Sequence, residues 1–258
     1  MEMTTKIEWT DETWSPVTGC TAISPGCTNC YAKRMARRLA GRCGYPEAPH
    51  HFDVTLRPDR LYQPLRWKKP RKIFVCSMSD LFHEDVPFSF IDRVWRRMSH
   101  CSQHIFQILT KRPERMARYV TERWTRDYFP LNIHLGITIC NQDELWKADK
   151  LLRVPSAVHF ASLEPLLSKI DLSKMKVGEC RGDETVQSAL SSMSFVGRKT
   201  HDWVIVGAET GPGKRPMELD WARSLRDQCK DAGTPFFFKK DSDGNHELDG
   251  VVYEEFPR

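Results

Sequence analysis

Short runs of apolar, β-favouring residues recur along the chain, each followed by a polar segment whose apolar positions repeat at helical spacing. The runs are Lys72–Met78, Ile105–Leu109, Ile133–Ile139, Ala157–Leu163, Trp203–Gly207 and Pro235–Phe238. The segments between them predict helices over Ser89–Ser99, Arg115–Trp124, Gln142–Leu152 and Leu219–Ala232. Pro87 and Pro113 stand near helix entries, where a missing N–H does no harm, and Gly233 stands where the last helix should stop. Strands alternating with helices imply a parallel sheet buried on both faces. With one more strand ahead of Cys20, the pattern predicts an α/β fold, a parallel (β/α) partial TIM-type barrel. A doubly wound open sheet is the rival, and periodicity does not separate the two.

One stretch breaks the alternation. Residues from about 171 to 201 are polar and bear Ser and Gly, which predicts an insertion on the loop face, a mobile lid or binding loop. Otherwise residues 1–258 read as one domain, the size of a single (β/α) barrel.

Composition changes this picture little. A net charge of +5 is a mild cationic excess, gathered at Lys33–Arg38, Arg66–Lys72 and around Lys111–Arg118. Each cluster alone reads as a solvated face; together they make a nucleic acid or nucleotide a reasonable substrate. No apolar stretch is long enough to span a membrane and the N-terminus has no apolar signal region, so a cytoplasmic location is expected.

The cysteines change it more. Three of the nine, Cys20, Cys27 and Cys30, fall within eleven residues as C-x6-C-x2-C, with Ser24-Pro25-Gly26 supplying the turn between them. Cys43, Cys76, Cys101, Cys140, Cys180 and Cys229 are isolated. A structural zinc site needs four ligands, and Cys43, His50 or His51 would have to supply the fourth. Three thiolates suit a [4Fe–4S] cluster that leaves one iron open to a small ligand such as S-adenosylmethionine (SAM). The zinc reading corresponds to a nucleic-acid-binding module, and a cluster without SAM turnover to a sensor.

In parallel α/β folds, sites form beyond the C-terminal strand ends. Those ends carry Ser77, Ser79 and Asp80; Thr110 and Lys111; Thr138 and Asn141; Ser162 and Glu164; Glu209; and Lys239 with Lys240. Capping explains Ser79 and Asp80 about as well as ligand contact does, and Glu164 could equally pair with Lys111 or Lys239. Glu209 opens Glu-Thr-Gly-Pro-Gly-Lys-Arg, a glycine-bearing loop without the Walker pattern.

The runs Thr13–Cys20 and Ser24–Ala32 resemble the signature of a phage-associated three-cysteine family of unknown function, grouped with the radical SAM superfamily. The likeness continues through Ser77–His83, Leu109–Pro113, Leu163–Leu166, Gly207–Gly213, Pro235–Lys239 and Leu248–Gly250. The first spacer is six residues where the superfamily commonly has three, and the aromatic Tyr31 follows the third cysteine instead of preceding it. The resemblance implies an enzyme that cleaves SAM reductively to a 5′-deoxyadenosyl radical, fed by a flavodoxin- or ferredoxin-type donor. It implies a cluster on Cys20, Cys27 and Cys30, with Ser77, Ser79, Asp80, Lys111, Thr138 and Glu164 around SAM. By likeness to spore photoproduct lyase, Lys111 would meet the SAM carboxylate. Glu209, Lys239 and Cys140 are the candidates for contact with a substrate, Cys140 and Cys76 as hydrogen donors.

Overall fold

The computed structural model describes residues 5, 7–177, 185–187 and 203–257. Seven strands form one wholly parallel sheet: β1 (Glu12–Trp14), β2 (Lys72–Val75), β3 (Ile105–Thr110), β4 (Ile133–Thr138), β5 (His159–Leu163), β6 (Trp203–Val206) and β7 (Phe236–Phe238). They pair in sequence order, each with the next. A doubly wound sheet must reverse its strand order at a switch point; this one never does, which removes that rival.

Five helices accompany the strands: α1 (Tyr31–Arg38), α2 (Phe88–His100), α3 (Pro113–Thr121), α4 (Trp146–Leu152) and α5 (Leu219–Ala232). Their starts and stops follow local chemistry. Pro113 takes the first position of α3, and α5 ends on Gly233 at φ 66°. The helix expected over Gln142–Leu152 is divided: Asn141 caps a 3-10 turn at Gln142–Glu144 before α4 begins. The sequence pattern missed α1, because its run of cations hides the two buried positions, Ala32 and Ala36.

The two faces of the sheet differ in cover. Trp14, Ile73, Val75, Phe106, Ile108, Leu135, Ile137, Val204 and Phe238 pack with α2–α5 in the main core. The alternate residues point the other way, as the two-residue period of a strand demands. There Phe160, Trp203, Ile205 and Phe237 cluster around Trp9, whose ring lies 4.8 Å from that of Phe74. This second core is closed by chain ahead of β1 and carries no helix residue.

The second face is tiered by the strand register. Gly136, Phe160 and Trp203 are direct partners in one row, and Thr138, Ser162, Ile205 and Phe237 in the next. One step further along the same face come the strand-end residues Lys111, Cys140, Glu164, Gly207 and Lys239. Buried apolar tiers thus support a polar rim.

Gly136 shows how tight the first tier is, since a methyl group there would overlap the ring of Phe160. Gly136→Ala should cost about 1–3 kcal/mol by overpacking. Urea unfolding measures it, and an unchanged midpoint would mean that the ring can turn aside.

Of the insertion expected at about 171–201, the described part is a 3-10 turn at Leu172–Lys174 and a short antiparallel pair, Met175–Val177 with Thr185–Gln187. The rest, with Cys180 and His201, lies outside the described residues. No described helix is long and apolar enough to cross a membrane.

Candidate functional site

The rim of the second face borders a cleft of about 260 Å³, whose lining includes Cys20, Cys27 and Cys30 together with Lys111, Thr138 and Glu164. All three cysteines are half-buried free thiols. Cys30 begins α1, and Cys27 closes a 3-10 turn capped by Ser24, whose Oγ accepts from Gly26 N–H at 3.2 Å. Gly26 is required there: a side chain would collide with the Cys140 Sγ beneath it.

The loop is clamped on both flanks. On the first, β2 ends at Val75 and Cys76 turns the chain at φ 63°, three residues earlier than the apolar run suggests. That turn brings residues 78–79 beside Gly19, whose N–H donates to Met78 O at 3.1 Å, while Ser79 Oγ donates to Val17 O at 2.7 Å. Asp80 is buried and accepts from Thr110 Oγ1 (2.7 Å), Lys111 N (3.0 Å) and Phe82 N (3.0 Å). It also faces the buried Arg112, with Nη1 at 3.3 Å from Oδ2.

Arg112 reaches further. It pairs with Glu84 at 2.8 Å, donates to Thr21 O and Oγ1 at 3.2 and 3.0 Å, and lies 3.5 Å from Cys20 Sγ. His83 completes the clamp, with its Nε2 2.8 Å from Thr21 Oγ1. Its Nδ1 accepts the Asp85 N–H, so Nε2 carries the hydrogen and donates. Burial, then the nearby Arg112, lowers the pKa of His83 and keeps the ring neutral.

On the other flank, Glu209 is held by Arg215 at 2.9 and 2.5 Å and by Asn29 Nδ2 at 2.8 Å. Asn29 also donates to Gly213 O, and Arg215 to Pro25 O. Glu209 thus ties the 207–215 loop to the cysteine loop, and its two oxygens are already engaged. The Arg215 hydrogen bond, with help from Asn29, depresses its pKa to about 2. A depressed carboxylate stabilises the fold above its unfolded pKa, and this is lost as pH falls through the folded value. The stability gap between the native chain and Glu209→Gln should therefore be flat above about pH 5 and close toward pH 2. Urea midpoints across that range test it, and a pH-independent gap would refute the ion pair.

Lys239 is likewise paired, with Glu164 at 2.7 Å and Glu8 at 3.8 Å. The second oxygen of Glu164 accepts no hydrogen bond among the described residues. Lys111 is different. It forms no ion pair among the described residues, and its only side-chain hydrogen bond is to Thr138 Oγ1 at 3.5 Å. Burial opposes its charge, but the sulfurs of Cys140, Cys27 and Cys30 and the Asp80 carboxylate together keep its pKa above the ordinary lysine value. Cys140 is buried under the loop, its thiol pushed up to about 11 by burial, and Cys20 is pushed up to about 11 for the same reason. Ser77 lines the cleft as well.

Sequence reasoning did not single out Arg112, Thr21, Asn29, Arg215 or Arg34. Arg112 was legible in part, as a second cation directly after a strand-end lysine; the others depend on long-range contacts.

Among the described residues, no three His, Cys, Asp or Glu side chains converge on a single metal ion, with Cys43, His50 and His51 no exception. The three cysteines nonetheless share one cleft, are unpaired, and sit on a glycine-bearing loop backed by two cations. A multi-iron cluster, in which each thiolate takes a different iron, would ask no more of these three residues than one thiolate each.

Fold and site together define a singly wound parallel α/β protein with a three-thiol cleft at the carboxyl ends of its strands. The chain belongs to the family described as Protein of unknown function (DUF5131), whose model matches residues 4–257. No curated protein and no solved structure matches it.

Proposed function

We propose that this chain is a radical SAM enzyme built on a partial TIM-type barrel, with Cys20, Cys27 and Cys30 holding a [4Fe–4S] cluster that has one open iron. The observation that carries the reading is the cleft pairing: three free thiols share the cleft with a half-buried ammonium, Lys111, that has no carboxylate partner among the described residues. A buried cation without a counter-ion is costly unless an anion joins it. The carboxylate of SAM is such an anion. When bound, the cluster supplies the electron that splits SAM into methionine and a 5′-deoxyadenosyl radical.

The chain's own residues position and shield. Lys111, steadied by Thr138, orients the carboxylate. The free oxygen of Glu164 is available to ribose hydroxyls, with Lys239 fixing the side chain through the other oxygen. Arg112 and His83 hold the backbone next to Cys20 on one flank; Glu209, Arg215 and Asn29 hold the loop between Cys27 and Cys30 on the other. The aromatic tier around Trp9 and Phe160 closes the floor against water. An electron donor of flavodoxin or ferredoxin type would serve it, in the cytoplasm.

A single zinc ion would need a converging set of ligands, and among the described residues none is present, which supports a cluster over zinc. Anaerobic reconstitution followed by iron and sulfide analysis and EPR decides the matter. The expected result is a reduced four-iron signal that shifts on adding SAM and is absent from Cys27→Ala. Zinc without sulfide, or a cluster indifferent to SAM, would overturn it in favour of a binding module or a sensor.

A further inference from the structure

Helix α1 leads away from the cleft, and its cations have no ion-pair partner among the described residues. From Cys20 to Pro46 the chain contains no Asp or Glu and five cations: Lys33, Arg34, Arg37, Arg38 and Arg42. Ala32 and Ala36 face the body of the protein and are buried, so the helix backbone lies close to it. Lys33, Arg34, Arg37 and Arg38 then fall within an arc of roughly 140° on the other side, at about 100° per residue. Lys33, Arg37, Arg38 and Arg42 are exposed and make no ion pair or side-chain hydrogen bond among the described residues.

Helix stability does not account for them all. Arg37 and Arg38 suit the negative end of the helix dipole, but Lys33 stands in the first turn. Lys33 with Arg37, and Arg34 with Arg38, are like-charged pairs one turn apart, which weaken a helix.

Arg34 gives an independent sign of an absent anion. It lines the cleft, donates through Nη2 to Thr210 O at 2.8 Å, and lies flat against Gly211, where any side chain would collide with it. Its Nη1 is buried and has no acceptor among the described residues. A guanidinium fixed at one nitrogen and unmet at the other is arranged to grip an oxyanion. Beside it, Tyr31 is 55% exposed at the cleft mouth, a ring available to stack on a base.

We propose that α1 is the docking rail for a nucleic-acid substrate. The phosphate backbone runs over Lys33, Arg37, Arg38 and Arg42, one phosphate meets Arg34, and the adjoining nucleoside is presented to the cleft. The assignment of a substrate rests on the enzymatic reading above; the binding itself does not.

The test is fluorescence anisotropy of the full-length protein with labelled single-stranded DNA, duplex DNA and single-stranded RNA of equal length, and with a mononucleotide. Binding should strengthen from mononucleotide to polymer and weaken steeply with salt. The triple variant Lys33→Gln/Arg37→Gln/Arg38→Gln should bind at least tenfold more weakly, with the salt slope reduced by about 2 for a single strand. Arg66→Gln/Lys68→Gln/Lys69→Gln, which changes a basic cluster outside the cleft, should bind as the native chain does. Circular dichroism and the EPR response to SAM separate local loss from unfolding and from failure of the cluster reading. Loss of nucleic-acid binding with an intact SAM response supports the rail. Nucleic-acid binding through α1 in a protein without iron supports the rail and overturns only the enzymatic reading. Binding to none of the polymers, or equal weakening by the two triple variants, overturns the proposal.

Discussion

Replacing Lys111 with methionine should make the protein no less stable while weakening its response to SAM. The ammonium is half-buried, unpaired among the described residues and supported by one long hydrogen bond, so the apoprotein gains little from its charge. Methionine fills similar volume without that desolvation, and stability should stay level or rise by about 1 kcal/mol. Binding should behave oppositely. Removing one partner of a desolvated charge pair costs roughly 2 kcal/mol or more, which is about a 30-fold loss of SAM affinity. Thermal unfolding of the apoprotein and a SAM titration of the reduced cluster, followed by EPR, read the two arms. A stability loss above about 2 kcal/mol would make Lys111 a structural residue, and unchanged SAM affinity would remove it from the site.

Arg112→Leu should do the reverse. Arg112 is the charge partner of the buried Asp80, which is also held by Thr110 and two backbone N–H groups. Without the guanidinium, a buried carboxylate is left uncompensated, at a cost of about 3–5 kcal/mol. Those remaining hydrogen bonds place the expectation near the lower end. Asp80→Asn in the same chain removes the stranded charge, so the double variant should be less destabilised than the sum of the two single changes. Simple additivity in urea unfolding would show that Arg112 does not act through Asp80. Lysine would not rescue the site, because one ammonium cannot span Asp80, Glu84 and Thr21 together. Cys20, next to Thr21, should then take up iron less completely in Arg112→Leu.

These opposite signatures separate two neighbours that look alike in the sequence. Lys111 and Arg112 are consecutive cations after one strand, and strand alternation sends them to opposite sides. Lys111 continues the face that carries the cleft. Arg112 turns back beneath the Cys20 loop, where its partners are carboxylates from the 80–84 segment. The same alternation sorts the other candidates. Glu164 and Lys239 reach the rim together, one step beyond the row of Thr138, because the strands that carry them are in register. Glu209 also reaches the cleft, but Arg215, six residues on, claims it, and spacing alone gives no means of seeing that pairing.

The alternation of apolar runs with helical segments, and the clustered thiols, were enough by themselves to determine a parallel α/β sheet and to single out Cys20, Cys27 and Cys30 as its candidate site. Both are local properties: a strand's period and a helix's stripe are written within ten residues, and so is the C-x6-C-x2-C spacing. Only the tertiary structure decided that the strands stay in sequential order, that α1 is a helix, and which charges are free. Strand order depends on how crossovers pack, and α1 depends on two alanines meeting the body of the protein. Whether a polar group is paired depends on groups up to 180 residues away, as with Asn29 and Glu209. Lys239 and Lys111 share a rim, yet the first is paired with Glu164 and the second has no carboxylate partner among the described residues, and no property of either residue's own neighbourhood in the chain distinguishes them.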